Sequence, residues 1–184
     1  MATNAAIKEG SFAGYIEEIR NFWGDVKDSQ LPFKVKAAME RFLTSTSPDE
    51  PWMAQLIREA KPSAELYRDP DFGFIQMGHV HAEGHENSPH DHGPCWVVYG
   101  SYMGLTEITL YQRTDDGKVQ GQATLEKKAL HRLARGVVYP YLPGDIHSTR
   151  AVEAPAVVFR FLSCDLTKIT RHRYNLEKGT ISQA

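Results

Sequence analysis

The sequence predicts a mainly β fold preceded by α-helices, and two patterns along the chain predict it. Apolar residues recur at helical intervals over the first 60 residues, and short β-type runs broken by Gly, Pro and Asp-Gly turns follow from Phe72 onward. Many short strands of this kind are typical of a β-sandwich or barrel rather than a parallel α/β sheet. No long linker interrupts the 184 residues, so we expect one structural domain with a helical layer, residues 1–62, packed on a barrel, residues 63–184.

Three helices are predicted in the first third of the chain. Ser11 is a suitable N-cap for a helix whose apolar residues return every three or four positions through Trp23. Pro32 and Pro51 each open a further helical pattern, because proline in the first turn lacks only an N–H that has no partner there. The last of these patterns runs to Ala60.

Six strands are predicted downstream of the helices. We expect them at residues 72–81, 96–102, 106–113, 123–130, 136–142 and 156–162. Asp116-Gly117 is a favourable turn dipeptide between the third and fourth of them. The last dozen residues, 173–184, are polar, and we expect them to fray.

Composition and charge argue against several functional classes. The chain carries 21 Lys and Arg against 23 Asp and Glu, a net charge of -2, which disfavours nucleic acid as a partner. No apolar run is long enough to span a membrane and the first residues lack a signal-peptide pattern, so we expect a cytoplasmic protein without a membrane partner. The 2 cysteines have no CxxC spacing and are too few for a disulfide framework. Serine-hydrolase, phosphate-binding and dinucleotide-binding motifs do not occur.

A histidine cluster is the strongest chemical signal in the sequence. Five of the 8 histidines fall between His79 and His92. Residues two apart on a strand face the same side, so His90 and His92 can present two imidazoles to one point. Imidazole is a ligand for Zn, Cu, Fe and Ni. His79 and His81 form a second such pair, which we expect to line the barrel or face solvent rather than to bind metal, and His85 is expected in a loop.

The spacing of these histidines resembles the two motifs of the cupin superfamily. Gly84 precedes His90 by six positions, and the downstream sequence Pro-Gly-Asp-Ile-His ends at His147, giving GxxxxxHxH followed by PGxxH. The similarity covers residues 68–162, about half of the chain. It implies a cupin double-stranded β-helix barrel, or jelly roll, with His90, His92 and His147 as the ligands of one metal ion.

Within the cupins, the sequence looks most like the thiol dioxygenases, the group of cysteine dioxygenase and mercaptopropionate dioxygenase. The usual cupin glutamate after the second histidine is missing, and Trp96 and Val97 stand in its place. The sequences Glu-Leu-Tyr-Arg-Asp-Pro at 65–70 and Pro-His-Asp-His-Gly at 89–93 also resemble the bacterial members. The resemblance implies an Fe(II) enzyme that oxidises a metal-coordinated thiol with O2.

The chain departs from that group in two places. Cys95 is out of register with the cysteine that cross-links to tyrosine in animal cysteine dioxygenases. The Ser-x-His-x-Tyr relay of many members is absent from its usual strand. Thr-Arg-His-Arg-Tyr at 170–174 imitates it through His172 and Tyr174, but in a charged segment that we interpret as a solvated tail. A metal-chelating carbonyl or enol compound is therefore the second substrate hypothesis.

Four further residues are candidates for substrate binding or catalysis. Arg68 and Arg160 are each able to bind a substrate carboxylate through a bidentate guanidinium. For Arg68, a plain surface charge is an equal alternative. Tyr141, which shares a face with Tyr139, is placed to donate a proton or orient oxygen, although tyrosines in strands commonly pack. Cys95 is either a reactive thiolate beside the metal or a small buried apolar residue.

The sequence leaves three functional hypotheses. The first is a mononuclear non-haem Fe(II) dioxygenase whose partners are O2 and a small molecule. The second is a Zn or Ni cupin, with Mn also a candidate metal, that isomerises or hydrolyses without redox chemistry. The third is a cupin that binds a ligand without catalysis. Homo-oligomerisation is open in all three.

Overall fold

Three helices form the N-terminal layer in the computed structural model, which describes residues 10–184. They are α1 (Gly10–Phe22), α2 (Leu31–Ser45) and α3 (Pro51–Glu59). Prolines stand in the first turns of α2 and α3, as predicted. The third helix ends at Glu59, and the following residue, Ala60, caps it in a left-handed conformation with φ 48°.

The remainder of the described chain is predominantly β. Its strands are β1 (Ala64–Arg68), β2 (Ile75–His81), β3 (Glu86–His90), β4 (Val97–Arg113), β5 (Leu125–Leu133), β6 (Val138–Tyr141), β7 (Ile146–Leu162), β8 (His172–Asn175) and β9 (Thr180–Gln183). All of their pairings are antiparallel. The prediction of a mainly β fold with N-terminal helices is confirmed.

The long strand β7 is the centre of the sheet. Its first half pairs with β3 and its second half with β2, so β2 and β3 lie end to end along one edge. Strand β4 pairs with the other edge of β7, from Val97 opposite Leu162 to Tyr111 opposite Ile146. Strands β5 and β6 in turn pair with β4. This order brings the two segments that carry the histidine motifs, β3 and the start of β7, next to each other.

Alternation along β7 separates two hydrophobic cores. Phe159 and Phe161 pack against the helical layer, whereas Val158 and Leu162 belong to a second core with Val97. Since successive strand residues point to opposite faces, position 160 shares the face of Val158 and Leu162, away from the helices. The apolar run of this strand therefore serves two cores at once.

The structure corrects three sequence predictions. The strands expected at 96–102 and 106–113 are one continuous strand, β4, and β7 begins ten residues before the predicted 156. The polar segment 173–184 was expected to fray, but it lies in regular structure. Strands β8 and β9 form a hairpin, and β8 pairs with β3 at His90 and Arg173. A polar strand carries no hydrophobic pattern that the sequence could reveal, so the position of β8 follows from its pairing with β3.

No helix within residues 10–184 is long and apolar enough to cross a membrane.

Candidate metal centre

Two neighbouring strands position the three candidate ligands. His90 is the last residue of β3 and lies directly opposite His147, the second residue of β7, in the antiparallel register. His92 follows two residues after His90, in the turn that leaves β3. The two sequence motifs therefore converge because their strands pair.

The imidazoles of His90, His92 and His147 form one cluster. Their ring centroids are 4.8 to 5.1 Å apart, and one nitrogen from each ring lies within 4.8 Å of the others. His92 Nε2 and His147 Nε2 are 3.4 Å apart. No other group of three or more His, Cys, Asp or Glu side chains in the described part of the chain is arranged to hold a metal ion.

The cluster fits a divalent transition metal. Two nitrogens each about 2.1 Å from one ion in tetrahedral geometry are about 3.4 Å from each other, which is the separation of the His92 and His147 Nε2 atoms. His90 Nδ1 donates to the carbonyl of Ser88 at 2.9 Å, so its Nε2 keeps a lone pair for a ligand. Nitrogen donors without a carboxylate suit Zn, Fe, Ni or Cu.

Burial keeps the three imidazoles neutral. His147 is fully buried and His92 is 3% exposed. Desolvation is the main cause that lowers the pKa of each ring, and the charge of Arg160 lowers all three further. Neutral imidazole is the form that binds a metal, so the site does not have to lose protons before it does so near pH 7.

Two tyrosines form the wall beside His147. The ring centroids of Tyr99 and Tyr141 lie 5.5 and 4.7 Å from that of His147. Tyr141 is 1% exposed, and burial raises the pKa of its phenol. Its hydroxyl lies 3.2 Å from Nδ1 of His131. The predicted site residue Tyr141 therefore lies beside the cluster, with a protonated phenol.

Asp91, between the two motif histidines, fixes the ligand loop from its opposite face. Its Oδ1 accepts from the backbone N–H groups of Gly93 and His172 at 2.9 and 3.1 Å. Its Oδ2 accepts from His172 Nδ1 at 3.0 Å and from the Tyr174 hydroxyl at 2.9 Å. Gly93 has φ 56°, and a Cβ there would clash with the carbonyl oxygen of Thr170. The C-terminal hairpin thus holds the loop that carries His92.

A cavity of about 500 Å³ opens beside His90. It is lined by three arginines and a single carboxylate, that of Glu86, so the balance of charge is positive. The arginines are Arg160, Arg171 and Arg173. Arg160 makes no ion pair with a carboxylate of residues 10–184, and one of its terminal nitrogens lies 3.4 Å from the Tyr99 hydroxyl. An anion is the ligand that such a cavity favours.

The structure separates the two predicted carboxylate-binding arginines. Arg160 lines the cavity on the interior face of β7. Arg68 is 43% exposed in its side chain and pairs with Glu65 and Asp165, each at 2.7 Å. Its guanidinium is already paired with two carboxylates and does not line the cavity, so Arg68 is not brought into the site.

Cys95 is not a free thiol. It is paired with Cys164 in a disulfide that joins positions 69 residues apart, with a Cα–Cα distance of 6.0 Å. Its backbone N–H donates to the carbonyl of His92 at 3.1 Å, so the bridge lies next to the ligand loop. Of the two alternatives for Cys95, the reactive thiolate is ruled out, because its sulfur is bonded to another sulfur, and the residue is buried.

The second histidine pair lines the same cavity without joining the cluster. His79 Nδ1 and His81 Nε2 both contact the carbonyl of Pro62, at 2.9 and 3.2 Å. Burial is the main cause that lowers the pKa of His79 to about 3 and that of His81 to about 4. His81 stacks on the ring of His85, which lies in the loop before β3 as predicted. These residues are hydrogen-bonded or stacked cavity walls.

Sequence reasoning missed Asp91, Arg171 and Arg173 as parts of the site. The signal for Asp91 was its place between two candidate ligands, since a residue between two side chains that share one side is expected to point to the other side. The arginines lie on or next to β8, a strand recognised only through its pairing with β3. The segment 170–174, interpreted above as a solvated tail, is also reassigned. Its residues His172 and Tyr174 bind Asp91 and do not line the cavity.

No family model and no curated protein matches this chain. Among solved structures, it resembles KdgF from a Halomonas species, with 19% identity and a TM-score of 0.41 over 54% of this chain and 76% of that one. The Schizosaccharomyces pombe Cnp3 cupin domain gives 14% identity and a TM-score of 0.43 over 58% and 62%. Hydroquinone 1,2-dioxygenase PnpCD, solved with Cd2+ and 4-hydroxybenzonitrile, gives 11% and 0.46 over 59% and 68%. These likenesses are partial and concern the fold alone.

Proposed function

We propose that the protein is a mononuclear non-haem Fe(II) dioxygenase that oxidises a small organic anion bound to the metal. The first substrate hypothesis is a thiol carboxylate, a small molecule that carries both a thiol group and a carboxylate group. The observation that carries the proposal is the convergence of three neutral imidazoles, one of which, His90, lines a positively charged cavity. The metal would be held by His90, His92 and His147.

The ligand set supports redox chemistry with substrate bound at the metal. Three neutral ligands leave the full charge of a divalent ion in place and leave coordination positions free for a substrate donor atom and for O2. When bound, Fe(II) supplies the electrons and the positions that bring substrate and O2 together. A thiolate compensates part of the ion's charge, which favours a thiol over a neutral donor.

The arginines support an anionic substrate. Arg160 lines the cavity together with His90, so a small molecule that reaches the metal also reaches the guanidinium. A carboxylate on Arg160 would fix the orientation of the substrate by charge-assisted hydrogen bonds. Arg171 and Arg173 at the same cavity attract anions over a longer range. Tyr99, whose hydroxyl contacts Arg160, would hold the guanidinium in place.

The chain's own residues also limit side reactions. Tyr99 and Tyr141 pack against His147 and would shield that side of its imidazole from water. Tyr141 stays protonated because burial raises its pKa, so its hydroxyl is a donor beside His131. These rings would therefore both shield the His147 imidazole and hold its orientation.

An oxygen-electrode experiment tests the proposal. The protein is loaded with Fe(II) without air, and O2 uptake is followed on addition of 3-sulfanylpropanoate, cysteine or acetylacetone. We expect Fe(II)-dependent uptake with at least one thiol carboxylate. The His147→Ala variant should bind less than a tenth of the iron and show no uptake, whereas His81→Ala, which alters a cavity histidine outside the cluster, should still bind iron.

The same experiment distinguishes the alternatives. Uptake with acetylacetone alone would assign a carbonyl substrate and contradict the thiol hypothesis. Tight binding of Zn or Ni, with no O2 uptake from any Fe(II)-loaded sample, would contradict the dioxygenase and favour the non-redox or ligand-binding cupin.

A further inference from the structure

We infer that the protein has a second binding feature beside the metal: a small internal subsite, formed by His79, Thr106 and Arg160, that takes a hydroxyl group of the substrate. This inference rests on the proposed function for the position of the substrate, and it narrows the substrate class to a hydroxylated small anion. No residue of the metal cluster takes part in the subsite.

The subsite is marked by buried polar atoms without partners. Among residues 10–184, five buried side-chain nitrogen or oxygen atoms lack a hydrogen bond. Two of them are Nδ1 atoms of the metal ligands His92 and His147. The other three are His79 Nε2, Thr106 Oγ1 and Arg160 Nε, and all three residues line one cavity of about 20 Å³. Unpaired buried polar atoms are costly, so their concentration at one cavity points to a ligand.

The hydrogen-bonding role of His79 is fixed by its other nitrogen. Nδ1 lies 2.9 Å from the carbonyl oxygen of Pro62, which can only accept, so Nδ1 carries the hydrogen. His79 is 7% exposed, and its neutral form is favoured by burial and by the charge of Arg160. Nε2 therefore holds a lone pair and requires a donor.

The other two atoms place different hydrogen-bonding requirements on the same ligand group. Arg160 Nε carries a hydrogen and can only donate, so it requires an acceptor. The Thr106 hydroxyl can donate or accept, and Thr106 is 2% exposed. A ligand group in this cavity must both donate to His79 and accept from Arg160.

A hydroxyl group meets both requirements. A carboxylate accepts from Arg160 but opposes the lone pair of His79, and an ammonium donates to His79 but is repelled by Arg160. A methyl group satisfies neither. The volume of about 20 Å³ holds one group of the size of a water molecule, and a hydroxyl is such a group.

The subsite is within reach of a molecule in the main cavity. Both cavities are lined by His79, His81, Asn87 and Arg160. A substrate whose donor atom is near His90 and whose carboxylate contacts the terminal nitrogens of Arg160 could extend a hydroxyl toward Arg160 Nε. A water molecule is the rival occupant, because it offers the same donor and acceptor.

Calorimetry on the anaerobic Fe(II)-loaded protein distinguishes a substrate hydroxyl from a permanent water. The probes are 3-sulfanylpropanoate, 2-hydroxy-3-sulfanylpropanoate and cysteine, which differ only in carrying hydrogen, hydroxyl or ammonium at carbon 2. We expect the hydroxy acid to bind about tenfold more tightly than the unsubstituted acid, and cysteine to gain nothing from its ammonium group.

Two variants test the assignment of residues. Thr106→Val removes the hydroxyl at nearly constant shape, and His79→Asn keeps a donor for Pro62 while removing Nε2. Each should reduce the preference for the hydroxy acid to within about twofold. Thr109→Val, on the same strand but outside both cavities, should retain the preference.

Each contrary outcome overturns the inference. Equal affinities for the hydroxy and unsubstituted acids in the unmodified protein would assign the cavity to a permanent water. A preference that survives in both variants would place the hydroxyl elsewhere, and failure of both acids to bind would remove the substrate from the cavity. If the unmodified Fe(II)-loaded protein prefers the hydroxy acid but takes up no O2, the result would contradict the proposed function and leave the subsite assignment intact.

Discussion

Asp91 and Tyr174, 83 residues apart in the chain, are joined by a 2.9 Å hydrogen bond from the tyrosine hydroxyl to the carboxylate. The same carboxylate oxygen accepts from His172 Nδ1. Because Asp91 lies between His90 and His92, this contact connects the C-terminal hairpin to the metal-ligand loop. The hairpin is therefore part of the support of the proposed metal centre.

Removal of the tyrosine hydroxyl should weaken both the fold and the metal site. Tyr174→Phe deletes a buried hydrogen bond to a carboxylate, and we expect a loss of about 1–3 kcal/mol in the free energy of unfolding. We also expect metal affinity to fall several-fold, because the loop of His92 becomes less fixed. Urea unfolding of the metal-free protein and competition with a metal chelator measure the two effects.

A matched control is available elsewhere in the fold. The hydroxyl of Tyr67 donates to Asp69 at 3.0 Å, in a region that contributes no residue to the metal cluster. Tyr67→Phe should lower stability without changing metal affinity. Equal metal affinities in the Tyr67 and Tyr174 variants would contradict the supporting role of the hairpin.

Substrate binding should depend on Arg160 and not on Arg68. Arg160→Met removes a cavity guanidinium that has no carboxylate partner within residues 10–184, and we expect the dissociation constant of 3-sulfanylpropanoate to rise about ten- to a hundredfold. Arg68→Met removes an exposed guanidinium with two carboxylate partners, and affinity should stay within about twofold. Similar losses in both variants would show that the anion is attracted by net charge alone.

Acid should destabilise the protein in part through His79. Burial first, and then the charges of Arg160, His81 and His85, lower the pKa of His79 from 6.5 to about 3. Between these values the unfolded chain binds a proton that the folded chain does not, so the free energy of unfolding falls as the pH falls. For one group that slope is at most about 1.4 kcal/mol per pH unit, and it vanishes above pH 6.5.

Comparison with His79→Asn isolates this contribution. Metal-free samples are unfolded in urea at pH 7.5 and at pH 5.0. The unmodified protein should lose about 2 kcal/mol more than the variant on acidification, since the variant lacks the titrating ring. The same loss in both proteins would mean that His79 titrates normally in the folded state.

The disulfide should contribute to stability from outside the cavity. Cys95→Ser opens a link between residues 69 apart, and the loop-closure relation gives a loss of up to about 4 kcal/mol in the free energy of unfolding. Thiol titration of the denatured, unreduced protein should detect no free thiol. Two titratable thiols per chain, or an unchanged stability in Cys95→Ser, would contradict the pairing.

The cluster of His90, His92 and His147 was predictable because its signal is local. His90 and His92 lie only two positions apart, which predicted that they share one side, and the Pro-Gly turn before His147 starts a new strand. Arg160 was a good candidate for a similar reason, since a charged residue in an apolar strand must face either a partner or a cavity. Arg68 offered no such pattern, and its side chain lies at the surface with Glu65.

The parts that escaped prediction depend on distant pairing. Strand β8 is polar and short, and its place is determined by β3, some 80 residues earlier in the chain. The contacts of Asp91 and the position of Arg173 follow from that pairing. The partner of Cys95 likewise lies 69 residues away, and its spacing from Cys164 has no local signature.

X-ray absorption at the iron edge tests the central claim most directly, because it reports the ligands of the bound ion. Protein loaded with Fe(II) under anaerobic conditions should contain one iron per chain and show three imidazole ligands. His147→Ala, if it retains any iron, should show two. A protein that binds no iron, or whose iron spectrum contains no imidazole and does not change in His147→Ala, would contradict the assignment of these histidines as the metal site.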